Sequence, residues 1–147
     1  ELINQNMISE SIQLVHRKLN QYLKEKLKAK EDLVVLSDLV ARDGSVSVPG
    51  ENNLCITLIT NGEERGKSTL SLLVSSNFTS ANYAEGLKLI EETAIYFKNN
   101  PRLILESLKD TELSITRETW TDEKVFSMWN AIGARLSPHL IYSIRTN

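Results

Sequence analysis

Few side chains in this chain could carry chemistry. Its only histidines are His16 and His139, and its one cysteine is Cys55. A metal site draws on several Cys, His or carboxylate ligands at fixed spacing, which two isolated histidines do not supply. His16 falls beside the apolar stripe of a helical segment and reads as a packing or surface residue, and His139 follows Pro138 without a recognisable partner. A cysteine nucleophile needs an exposed, electropositive setting with a base nearby. Cys55 lies inside the run Leu54-Cys55-Ile56-Thr57-Leu58-Ile59, which predicts a buried thiol. The segment Gly62-Glu63-Glu64-Arg65-Gly66-Lys67-Ser68 ends like a phosphate loop, but it has three residues between its glycines and leads into a β-rich run. A phosphate loop needs four, followed by a helix whose N-terminus faces the phosphate. The carboxylate pairs Glu63-Glu64 and Glu91-Glu92 are placed on a turn and on the polar side of a helix, so no acid–base cleft is indicated. The expectation is a protein that is not an enzyme and holds no cofactor and no metal.

Two tryptophans remain. Trp129, spaced with Phe126 and Ile132, reads as core; Trp120 stands at a strand-to-helix junction, where an aromatic can anchor either the core or a partner. Stacking on bases would require an accompanying basic patch, and none is present.

The elements that must position these residues follow from periodicity. Ile8, Ile12, Val15, Leu19, Tyr22, Leu23 and Leu27 recur at helical spacing with charges between them, so residues 8–27 form an amphipathic helix. Residues 33–36 are a strand, with Leu39 and Val40 behind it and Asp43-Gly44 as a turn; residues 45–53 suit a short edge strand or a loop. Residues 54–60 and 69–75 read as the arms of a hairpin joined by the polar connector 61–68. Asn82, three residues before Glu85, predicts a capping box for a second helix, with Tyr83, Leu87, Ile90, Ala94 and Phe97 on one face and Pro101 as its limit. A linker with room for a helical turn precedes the alternating strand 112–118. Thr121 or Asp122 caps a short helix over 123–132 with Val125, Phe126, Trp129 and Ile132 inward and Gly133 ending it. Residues 139–146 are a final strand. The fold class is α/β (α+β): one mixed β-sheet with a long hairpin, flanked by about three helices. Residues 1–6 are expected to be an N-terminal extension and 7–147 a single domain.

Composition sets the bounds. The 147 residues carry 17 basic and 19 acidic side chains for a net charge of −2, with 41% hydrophobic residues. A balance this near neutral disfavours a protein built for phosphate backbones, so no nucleic acid partner is expected. No run approaches the roughly 18 to 20 apolar residues that cross a bilayer, so no membrane partner is expected. A lone cysteine rules out an internal disulfide and makes a reducing site of synthesis such as a cytoplasm the default.

The order of segments resembles a known family. The residues that carry the resemblance begin with Met7-Ile8-Ser9-Glu10-Ser11, Leu19-Asn20-Gln21-Tyr22-Leu23, Val34-Val35-Leu36-Ser37-Asp38-Leu39-Val40 and Glu51-Asn52-Asn53 before Ile56-Thr57-Leu58. They continue with Ser76-Asn77-Phe78, Asn82-Tyr83-Ala84-Glu85-Gly86-Leu87-Lys88 and Phe97-Lys98-Asn99-Asn100-Pro101. They close with Met128-Trp129-Asn130-Ala131-Ile132-Gly133-Ala134-Arg135, Leu136-Ser137-Pro138 and Tyr142-Ser143-Ile144-Arg145. Together they resemble the tail-terminator, or cap, proteins of extracellular contractile injection systems of the virulence-cassette and antifeeding-prophage type. The connector over residues 61–68 looks shorter than is usual in that family. The resemblance implies a structural protein: a homo-oligomer, a hexameric ring at the baseplate-distal end of the tail, contacting the inner tube and sheath, ending polymerisation and anchoring the sheath. It implies assembly in the bacterial cytoplasm as part of a particle that can be released.

Interface candidates are the hairpin tip, Glu63, Glu64, Arg65 and Lys67; Trp120; and Tyr142, Ser143 and Arg145 on the last strand. The last strand and the hairpin are the expected sites of strand addition by a neighbour or a sheath terminus. Another ring or adaptor component of a contractile tail is the alternative, followed by a small ligand-binding or enzymatic α/β domain.

Overall fold

The computed structural model describes residues 2–65, 67–108 and 111–146, with side chains except those of residues 2–6, 64 and 108. Helix α1 (Leu2–Leu27) is followed by strand β1 (Val34–Leu36), then the hairpin arms β2 (Asn53–Glu64) and β3 (Lys67–Asn77). Helix α2 (Tyr83–Asn99), strands β4 (Arg102–Leu105) and β5 (Thr111–Arg117), helix α3 (Asp122–Ile132) and strand β6 (His139–Thr146) complete it. The six strands form one mixed sheet in the order β1-β2-β3-β6-β5-β4, in which only β1 and β2 run parallel. The single α+β domain with three helices agrees with the fold class read from the sequence.

Side chains alternate across the strands, and the two faces are covered differently. On one face α1 lays Leu14, Val15, Leu19 and Leu23, and α2 lays Leu89 and Phe97, over Leu54, Ile56, Leu72, Val74, Leu113, Ile115, Leu140, Tyr142 and Ile144. On the other, α3 sets Met128 and Trp129 with Leu39 against Cys55, Leu73 and Ile141. Gly86 allows α2 its close approach: a Cβ there would stand 2.5 Å from Ser76 Oγ and 2.9 Å from the Phe78 ring.

The structure corrects several expectations. The polar connector 61–68 is mostly strand, because main-chain pairing runs out to Glu64 opposite Lys67, with Arg65 in the turn at a left-handed φ of 54°. Backbone pairing is indifferent to side-chain polarity once both faces of an arm meet water. A bulge at Ile59 shifts the register, setting Thr60 opposite Ser71. The linker after Pro101 contains β4, too short to show a period, followed by the helical turn it has room for, at Glu106–Leu108. No capping box starts α2: Asn82 gives no side-chain cap and instead donates from Nδ2 to Thr79 Oγ1 at 3.0 Å. The buried stripe of α2 is Gly86, Leu89, Thr93 and Phe97, so Tyr83 and Leu87 are exposed. Phe126 on α3 is also turned outward, at 52% exposure. Thr121 caps α3, its Oγ1 accepting from the Lys124 N–H at 3.2 Å, and Gly133 ends the helix at φ 79°.

Candidate functional site

The strand-addition sites require the largest correction. Strand β6 lies between β3 and β5, which pair its two edges over residues 139–145 and 142–146, so it is not an open edge for strand addition. Tyr142 and Ser143 are accordingly interior, at 3% and 5% exposure, while Arg145 on the same strand reaches the surface. Strand β3 is interior as well. The sheet's edges are β1, β4 and the distal part of β2, since β1 pairs only with Leu54, Cys55 and Ile56.

The edge at β1 is closed by side chains of α1. Asn20 Oδ1 accepts from the N–H groups of Leu33 and Val34 at 2.8 and 3.1 Å, and His16 Nε2 donates to the Val34 carbonyl at 2.7 Å. His16 is thus a substitute for a neighbouring strand, which blunts an edge that would otherwise template aggregation. At the hairpin tip Glu63, Arg65 and Lys67 are exposed, and the side chain of Glu64 lies outside the described residues. Trp120 is half-buried, packed at the margin of the α3 core with Lys124 Nζ 4.0 Å over its ring.

Burial pushes the Cys55 thiol up, and its Sγ lies 3.4 Å from the Ser37 carbonyl. Among the described residues no cluster of three or more His, Cys, Asp or Glu side chains converges on a point where a metal could sit. No described helix is long and apolar enough to cross a membrane.

Two surface features stand out instead. Beyond the α3 core, the second face of the sheet carries a row of hydroxyl side chains across four strands: exposed Thr60 on β2, half-buried Ser71 on β3, buried Ser143 on β6 and exposed Thr116 on β5, each opposite the next in register. The other is a groove of about 790 Å³ between the loop after β1, the start of α2 and the segment leading from α3 to β6. Val46, Tyr83, Leu87, Arg135 and Leu136 line its sides, and Trp129 and Ser75 lie at its base. Val46 is 77% exposed, and Tyr83, Leu87 and Leu136 also present apolar surface to solvent. Among the described residues Arg135 and His139 are its only ionisable lining groups apart from Tyr83, and no carboxylate faces it. The Trp129 indole N–H is buried with no hydrogen-bond partner. Sequence reading missed this groove because it counted Tyr83 and Leu87 as core; their offset from the Gly86, Leu89, Thr93 and Phe97 stripe was the available signal. A second concavity of about 520 Å³ beside α1 mixes Arg17 and Lys24 with Glu25, giving no field of one sign.

Comparison with known proteins gives one family. The model described as the Pvc16 N-terminal domain matches residues 67–146, more than half of the chain, spanning β3 through β6 with α2 and α3 between them. No curated protein matches the chain.

Proposed function

The chain belongs to the Pvc16 N-terminal domain family, which associates it with phage-tail-like contractile injection systems, and from that premise we propose that it is a tail terminator. In this reading copies of the chain close into a ring, hexameric by the resemblance described above, at the baseplate-distal end of the tail. The ring seats on the last layer of inner tube and sheath, stops polymerisation and holds the sheath end. The work is structural, without catalysis, and assembly takes place in the bacterial cytoplasm.

The observation that carries the reading is the family match over the main part of the sheet, joined to the order of motifs outside it from Met7 onward. The surface is compatible with it: the apolar groove and the outward-turned Phe126 on α3 are unlike patches, and a ring needs unlike patches that meet head to tail. An obligate contact of this kind buries roughly 2,000 Å² or more, enough to cover apolar side chains such as Val46 and Phe126 that a lone chain leaves in water.

Localisation tests the proposal. A tagged copy in purified particles, labelled and imaged in negative stain, is expected at the end distal to the baseplate, and particles lacking the protein are expected to lose their uniform length. Label at the baseplate or along the sheath would replace the terminator by another ring or adaptor component. Particles of normal length without the protein would remove it from tail termination.

A further inference from the structure

We infer that the groove beside Trp129 receives the first turns of α3 from a second copy of this chain, with Phe126 as the apolar anchor and Asp122 and Glu123 set against Arg135. The inference rests on the ring reading above and names the contact within it.

Three observations converge on that occupant. The groove's wall is apolar, through Val46, Tyr83, Leu87 and Leu136, and its lining charge is Arg135 with no carboxylate to neutralise it. Among the described residues Arg135 forms no ion pair. Trp129 at its base is 3% exposed and closes the groove toward the core under α3.

The first turns of α3 carry the matching features. Glu123 and Phe126 are three residues apart and Asp122 and Phe126 four apart, so they stand together on the helix surface. Phe126 packs into neither of the chain's cores, and among the described residues neither carboxylate has an ion-pair partner. A large aromatic beside two carboxylates is the complement of an apolar cleft holding one guanidinium.

The helix that carries this knob also forms the groove's base and end, through Trp129 and Gly133. A chain therefore does not fill its own groove, and the second copy must do so. Knob and groove are different patches, so the contact is heterologous and propagates from copy to copy until rotation closes it.

The test uses the full chain at high micromolar concentration, followed by sedimentation velocity and negative-stain imaging. The wild type is expected to form rings. Phe126→Ala, Arg135→Glu and Val46→Asp, all at surface positions where folding is nearly indifferent, are expected to weaken association at least tenfold with melting temperatures close to wild type. The double variant Arg135→Glu with Glu123→Arg restores the attraction with signs exchanged and is expected to recover most of the loss. Rings that persist in the Phe126→Ala and Arg135→Glu variants, or a wild type that stays monomeric, overturn the contact. Neither outcome touches the placement at the tail end, which the localisation experiment decides separately.

Discussion

The two faces of the sheet are built to different standards. Under α1 and α2 the apolar layer runs from Val34 on β1 to Leu103 and Leu105 on β4, and an aromatic chain threads it: Tyr22 to Tyr96 at 4.7 Å, Tyr96 to Phe97 at 5.1 Å, Phe97 to Tyr142 at 4.9 Å between ring centroids. Under α3 the apolar layer is a patch around Cys55, Leu73 and Ile141, and beyond it the same strands turn to Ser71, Ser143 and Thr116. One helix covers only part of that face, and beyond it short hydroxyl residues stand where the sealed face has apolar ones, exposed at Thr60 and Thr116 and buried at Ser143. The sealed face supplies the folding energy. The half-sealed face, with the groove at one end and the hydroxyl row at the other, is the part of the molecule left available to partners.

Cavity formation in the sealed layer gives the largest expected effect. Leu113 is completely buried, and Leu113→Ala is expected to lose about 2–5 kcal/mol in chemical denaturation. Leu73→Ala on the α3 side is expected to lose less, toward about 2 kcal/mol, because the thinner layer can close over the space. Equal losses would break the comparison. The sealed face also holds the phenols that burial raises. Burial pushes the Tyr142 phenol up to about 12 from 10.0, with Arg117 nearby pulling it partly back. Burial likewise raises Tyr22, aided by the hydrogen bond it donates to Glu92, and Tyr96. In the unfolded chain these phenols ionise first, so the stability they support is whole below pH 10 and is lost as pH rises through about 12, on the order of 2–3 kcal/mol for Tyr142. Tyr142→Phe is expected to flatten that loss while leaving neutral stability nearly unchanged, since the hydroxyl has no partner to forfeit.

These differences were unevenly legible in the amino-acid sequence. Long periodic segments announced themselves: α1, both hairpin arms, α3 and β6 stand where apolar spacing puts them, and Cys55 and Trp129 are buried as expected. Strand order is a long-range property, and nothing in residues 139–146 says that they insert between β3 and β5; the last strand in sequence is central in space. That fact moved Tyr142 and Ser143 from candidate interface to core. The four residues of β4 are too few to display alternation, and their strand state comes from pairing with β5. Tyr83 and Leu87 fit a helical stripe in one dimension, but the close approach at Gly86 fixes the rotation of α2 and turns both outward. His16 and Asn20 look like surface residues until the β1 edge they close is in view. The groove depends on all of these tertiary facts, so no local motif announces it.

The β1 edge gives the next effect in size. Asn20→Ala removes the oxygen that accepts from both Leu33 and Val34, leaving two half-buried N–H groups short of a partner, and is expected to cost about 1–3 kcal/mol. Hydrogen exchange should show faster exchange at those two amides, with the centre of the sheet unchanged. Loss of protection spreading to β3 and β6 would mean that the sealed layer depends on this edge rather than standing by itself. Thr121→Ala, which removes the cap of the single helix on the other face, is expected to cost about 1 kcal/mol, and protection should fall in α3 while α1 and α2 keep theirs.

The smallest effect belongs to the open half of the second face. Thr116 is exposed at the end of the hydroxyl row, with no side chain of α3 packed above it. Thr116→Ala removes a β-branched residue from a strand and no core contact, so the isolated chain is expected to change by no more than about 0.5 kcal/mol. A loss above about 1 kcal/mol would show that this half of the face is held as firmly as the other. In that case the division between a sealed face that folds the chain and an open face that meets partners would fail at the place where it is drawn most sharply.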